Sequence, residues 1–89
     1  MDVDVYWEQF QYNFDQVYQN MLTRLKVKYP DLTRTNLKLC AYLRLNMSSK
    51  EIASLMNITP SGIDKARNRL RKKLNIQPND DLSDFLINF

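Results

Sequence analysis

Histidine is absent from this sequence, and cysteine and glycine occur once each, as Cys40 and Gly62. Without an imidazole there is no Ser/His/Asp or Cys/His catalysis and no His-containing zinc site. One glycine cannot build a P-loop or a dinucleotide-binding loop, where the backbone must approach phosphate at several positions. A single cysteine excludes a disulfide within the chain. No run approaches the ~18 consecutive apolar residues of a membrane span. The start, Met1-Asp2-Val3-Asp4, is acidic where a signal peptide is basic. These absences predict a protein that is not an enzyme, uses no cofactor or metal, makes no membrane contact through this segment and is cytoplasmic.

What is present is 89 residues, 44% hydrophobic and 26% charged, the size and balance of one globular unit. So small a chain buries only about 60 to 65% of its unfolded surface, and wide apolar helix stripes or a dimer partner would help it hold together. The formal net charge of +3 averages over unlike segments. Residues 1 to 20 carry Asp2, Asp4, Glu8 and Asp15 with no Lys or Arg, and the tail carries Asp80, Asp81 and Asp84. Between them, six of the 13 basic residues fall within residues 65 to 73, with no acid. That run concentrates positive potential enough to neutralise several phosphates, although a basic run is more often simply a solvated face.

Hydrophobic periodicity predicts an all-α chain. Trp7, Phe10, Phe14, Val17, Met21 and Leu25 recur every three or four residues, the period of one helix face. This spacing predicts a long amphipathic N-terminal helix over residues 1–29, stopped at Tyr29-Pro30, that packs on the rest of the domain or on a second copy. Residues 30–89 then form a separate helical domain. Thr33 or Asp31 caps its first helix, whose buried face carries Leu37, Leu39, Cys40 and Leu43. Cys40 reads as a small buried hydrophobe. Asn46 takes the left-handed conformation at that helix's end. Ser48 and Glu51 form a capping box for a short helix that turns Ile52, Ala53, Leu55 and Met56 inward. Thr59 caps the next, with Pro60 at its first position, and it runs to about Leu74. After Pro78, Asn79 or Asp80 caps a last helix with the stripe Leu82, Phe85, Leu86 and Phe89.

Two helices joined by a tight corner, the second basic, form the arrangement of a helix-turn-helix. Over residues 32 to 74 the chain resembles the LuxR/GerE-type helix-turn-helix of bacterial transcription regulators. The resemblance runs through Leu32-Thr33, Ser48-Ser49-Lys50-Glu51-Ile52-Ala53, Ile58-Thr59-Pro60, Ile63 and Leu70-Arg71-Lys72-Lys73-Leu74. The flanking Trp7 and Phe10, Tyr29-Pro30-Asp31-Leu32-Thr33 and Leu39-Cys40-Ala41-Tyr42-Leu43-Arg44-Leu45 look like the C-terminal effector region of large Bacteroidetes-type sensor regulators. The resemblance implies a four-helix bundle behind the N-terminal helix, and regulation of transcription in a two-component-like system. It also implies duplex DNA as partner, RNA polymerase as a further candidate partner, and a parent protein that can be anchored in the inner membrane. A homodimer would form through the N-terminal helix or through residues 82 to 89. The chain departs from the family at Asn36, Asn46, Gly62 and Ala66, where the family usually has Glu, Gly, Thr and His. At Asp64 many relatives carry a basic residue.

Helical geometry selects the candidate site residues. At about 100° per residue, Ile63, Ala66, Leu70 and Leu74 share one side of the basic helix. Ser61, Asp64, Lys65, Asn68 and Lys72 share the other, which would enter the major groove. There Lys65 would donate to guanine, Asn68 would pair with an adenine, and Asp64 would accept from a cytosine amino group or exclude a wrong site. Arg69, Arg71 and Lys73 are placed as phosphate contacts, and Ser48, Ser49 and Lys50 at the preceding helix's N-terminus would hold another phosphate. Arg67, near the buried edge, is expected to form an internal ion pair with Glu51. The competing reading is a helical protein-interaction or dimerisation module that keeps the fold without specific DNA binding.

Overall fold

Hydroxyl and amide side chains set where the helices begin and end. In the computed structural model, which describes residues 3–89, six helices follow one another: α1 (Val3–Val17), α2 (Met21–Lys28), α3 (Arg34–Arg44), α4 (Ser49–Met56), α5 (Pro60–Lys73) and α6 (Leu82–Ile87). There is no strand among the described residues. Met1 and Asp2, the beginning of the acidic start, lie outside them. Thr33 caps α3, its hydroxyl accepting from the Asn36 N–H while the Asn36 side chain accepts from the Thr33 N–H. Ser48 and Glu51 make the same exchange at α4. At α5 the Thr59 hydroxyl accepts from the Gly62 N–H, with Pro60 next to the cap. Each cap satisfies an N–H that has no partner inside its own helix. At α6 the cap is Asp81 rather than Asn79 or Asp80. Residues 77 to 80 are committed to a turn closed by the Asp80 N–H on the Gln77 carbonyl, so the first residue free to cap is the one before Leu82.

Asparagine also supplies the left-handed corners. Asn20, Asn46, Asn57 and Asn75 have φ between 57° and 63°, while Gly62 keeps a helical φ inside α5. Asparagine enters this region at lower cost than most side chains because its short amide bonds locally. A methyl group added at Gly62 would lie 3.3 Å from the Thr59 hydroxyl, so the lone glycine leaves room for a cap rather than for a turn.

The N-terminal helix expected as one piece is two. Gln19 and Asn20 are both left-handed, a conformation that cannot continue a right-handed helix. Asp15, 6% exposed, turns its carboxylate onto α2 and accepts from the Leu22 N–H (2.9 Å), the Thr23 N–H (3.2 Å) and the Thr23 hydroxyl (2.7 Å). It thus caps a helix that starts six residues after it. The stripe conceals this break because Val17 and Met21 are four apart whether or not the helix continues between them. The bend leaves Val17, expected inside, 70% exposed.

Folding back lets both arms reach one core. Trp7 and Phe14 of α1, Met21, Leu22 and Leu25 of α2, and Leu39 and Leu43 of α3 join Ile52, Ile63, Leu70, Leu82 and Leu86 in a single buried cluster. The segments before and after Pro30 therefore contribute to the same interior. The radius of gyration, 12.5 Å, is close to the ~12 Å of a single domain this long. Rings line the α1 side, with Phe14 and Tyr18 stacked at 4.4 Å and Phe10 meeting Tyr42 of α3 edge-on at 5.9 Å. The stripe of α6 closes the core, with Leu82 and Leu86 buried and Arg24 lying 5.0 Å from the Phe89 ring. Leu55, expected to face inward, is instead 58% exposed. Among the described residues no helix is long and apolar enough to cross a membrane.

Replacing Asp15 by Ala strands two N–H groups and a hydroxyl, and it should lower unfolding free energy by about 2 kcal/mol in urea titrations. At the α3 end, Asn46→Ala should cost about 1 kcal/mol in the same assay, whereas Asn46→Gly should leave stability unchanged or raised.

Candidate nucleic-acid interface

The basic helix is positioned from both ends. Before it, α4 ends at left-handed Asn57, and Ile58 and the Thr59 cap complete the corner. Along it, Ile63 and Leu70 are buried against the core, and Leu74 follows them at its end. This burial fixes the rotation of the helix. As a result Ser61, Asp64, Lys65, Asn68 and Lys72, selected from sequence as one face, are all exposed.

The cations of α5 divide into two groups. Among the described residues, Lys65, Arg69 and Lys72 are exposed and make no hydrogen bond or ion pair with the protein, and the same holds for Lys50 at the start of α4. The others are engaged. Lys73 donates to the Asn36 side chain (2.8 Å) and to the Asp31 carbonyl (3.3 Å), tying the end of α5 to the beginning of α3. Arg71 is half-buried and donates through Nη1 to Asn68 Oδ1 at 2.8 Å, while its Nε is buried without a partner. Ser48 and Ser49, expected beside Lys50 as phosphate ligands, are likewise engaged, the first as the α4 cap and the second in contact with α5. Of the expected phosphate contacts, the structure leaves Lys50 and Arg69 unencumbered.

Arg67 and Glu51 have different partners from those expected. Glu51 Oε1 accepts from the Ser48 N–H at 2.9 Å. That backbone bond, with the Ser48 hydroxyl, holds the Glu51 carboxyl below its ordinary value. Arg67 Nη1 donates instead to Ser49 Oγ (3.0 Å), which donates to Asp64 Oδ1 (3.2 Å). The capping box is the physical reason: a carboxylate folded back onto its own helix start is turned away from the neighbouring helix. The role of Ser49 was missed, although the doubled Ser48-Ser49 carried a signal, since only one of two adjacent hydroxyls can cap.

Between α3 and the end of α4 lies a cavity of about 310 Å³ of mixed polar and apolar lining, formed by Thr35, Lys38, Tyr42, Leu55, Met56 and Ile58. The Lys38 ammonium stands 5.6 Å from the Trp7 ring. Among the described residues no three His, Cys, Asp or Glu side chains converge as a metal site. Cys40 is fully buried, and burial pushes its thiol up to about 12. No protein-family model, curated protein or solved structure matches the chain.

The Arg67–Ser49–Asp64 chain can be tested by mutant cycles. Ser49→Ala and Arg67→Ala should be non-additive, with a coupling of about 0.5 to 1 kcal/mol, whereas Glu51→Ala and Arg67→Ala should add.

Proposed function

We propose that this chain is the DNA-binding effector domain of a LuxR/GerE-type transcription regulator, acting by binding and not by catalysis. α5 enters the major groove and the α4 N-terminus stands against the backbone. The observation that carries this reading is the exposed row Lys65, Arg69 and Lys72 on a helix of fixed rotation, with Lys50 across the corner and no carboxylate paired to any of them among the described residues. Unpaired ammonium and guanidinium groups displace the counterions condensed on duplex DNA, and their release drives association. Ser61, Asp64, Lys65, Asn68 and Lys72 face the base edges.

A homodimer fits the N-terminal helix better than α6, whose stripe is committed to the core. Exposed Gln9, Tyr12, Asn13 and Gln16 give α1 a face without charge, which a second copy meets without like-charge repulsion. RNA polymerase as a partner, a cytoplasmic site of action and an inner-membrane parent follow from the family resemblance alone.

The cavity beside Leu55 and Ile58 favours a second reading, a protein-interaction module, because both side chains are exposed there, 58% and 44%. Fluorescence anisotropy on a labelled duplex separates the two. DNA binding predicts a log–log salt slope of about −2 or steeper per copy from the free phosphate contacts Lys50 and Arg69, and Lys50→Ala or Arg69→Ala should each reduce it by about 1. Undetectable or salt-insensitive binding, unchanged by these substitutions, would favour the interaction module.

A further inference from the structure

Two polar groups on the exposed face of α5 have their hydrogen-bonding sense set by the protein itself. Asp64 Oδ1 takes the Ser49 hydroxyl at 3.2 Å, and the same hydroxyl oxygen takes Arg67 Nη1 at 3.0 Å. A guanidinium only donates and a serine has one proton, so that proton goes to Asp64. The carboxylate is thereby held from α4, while Asp64 stays exposed and Oδ2 has no bond among the described residues. One turn further on, Asn68 Oδ1 takes Arg71 Nη1 at 2.8 Å. This bond settles which end of the amide faces the helix: the oxygen lies on Arg71, and the Nδ2 group, with two donors, is the free end. Arg71 is itself half-buried, with its Nε shielded from solvent.

Resting on the DNA-binding reading above, we infer that Asp64 and Asn68 form a prewired acceptor–donor pair. Asp64 selects cytosine or adenine on one strand through the exocyclic amino group, and Asn68 selects an acceptor edge one or two base pairs away. Residues four apart on one helix face are separated by about 6 Å along the axis, and base pairs by about 3.4 Å, so the two side chains address different base pairs. Ionised Asp64 is acceptor-only. Opposite guanine O6 and N7, or thymine O4, it would set lone pair against lone pair in a dry groove, whereas cytosine N4 or adenine N6 supplies the missing proton. Asn68 meets the opposite demand through Nδ2: guanine O6 or N7, thymine O4 or adenine N7 satisfies it, whereas cytosine, which presents only a donor in the groove, does not. A carbonyl already holding a guanidinium is the weaker end for an incoming amino group, so the two-bond adenine contact expected from sequence gives way to donation alone. Ser49 and Arg71 act as positioning residues for this code without touching the bases.

Selection of bound duplexes from a random pool tests the inference on the intact chain and on Asp64→Ala, Ser49→Ala, Asn68→Ala and Arg71→Ala, with unfolding curves recorded for each. The parent chain should enrich cytosine or adenine at one strand position and exclude cytosine from a strand position within two base pairs of it. Asp64→Ala should lose the first preference by about tenfold or more and bind unselected duplex more tightly, leaving the second preference intact. Asn68→Ala should do the converse. Ser49→Ala should weaken only the first preference and Arg71→Ala only the second, a position-by-position split that loss of stability cannot produce. Duplexes enriched with a consensus that Asp64→Ala and Asn68→Ala leave unchanged would overturn the inference while sparing the DNA-binding reading. No enrichment by the parent chain at low salt would overturn both.

Discussion

The carboxylate of Asp15 decides whether this chain has one interior or a rod with a domain at its end. Trp7 and Leu25 are 18 residues apart, and on an unbroken helix they would lie about 27 Å apart along the axis. An unbroken helix would therefore take up most of the domain's 37 Å long axis, whereas the bend lets α2 pack on both α1 and α3. Two left-handed residues make the bend, but a bend leaves the first N–H groups of α2 without partners in a nearly buried place. Asp15 fills that need with bonds from two of those N–H groups and takes a third from the Thr23 hydroxyl, which offsets the cost of burying the carboxyl group. Once α2 lies back on the domain, Arg24 reaches Phe89 and α6 is held down, so α2 and the last residue meet through the same bend.

Scarcity of glycine has a second structural consequence. Most helix ends in other chains use glycine for the left-handed residue, whereas here four asparagines do it. Asparagine in these positions restricts the unfolded chain more than glycine would. The α4–α5 corner is the place where this matters for function. Left-handed Asn57 ends one helix, Thr59 caps the next, and Pro60 fixes the backbone of its first position, so the basic helix begins at a defined point and presents a defined face.

What was legible in the sequence was local. The Thr33, Ser48 and Thr59 caps, the Asn46 corner and the exposed face of the basic helix all depend on residues within one or two turns of each other. Bonds between distant residues were not legible. Lys73 was assigned to phosphate because nothing near it in sequence reveals Asn36, 37 positions away. Leu55 was placed inside because its helix is short and its periodicity allowed it, yet only Ile52 and Ala53 of α4 meet the core fully. The pairing of Glu51 with Arg67 failed for a reason available beforehand: the same carboxylate was already needed by the capping box. Asp15 shows the reverse case, one acid among several in the N-terminal segment that proved to be the cap of another helix.

The electrostatics of α5 differ from what its pairing pattern first suggests. Three of its cations are held by the protein, but their direct acceptors are neutral: a serine hydroxyl for Arg67, an asparagine carbonyl for Arg71, and an asparagine carbonyl with a backbone oxygen for Lys73. A neutral acceptor fixes the position of a cation without cancelling its charge, whereas the expected Glu51–Arg67 pair would have fixed and cancelled it together. The one acid on the helix, Asp64, is reached only through Ser49. The engaged cations therefore add to the field of the free ones, at distances within a Debye length of about 8 to 10 Å for near neighbours. The net charge of +3 thus understates the potential over this face, because the acids that lower it lie mostly elsewhere in the chain, at Glu8, Asp15, Asp80, Asp81 and Asp84 among others.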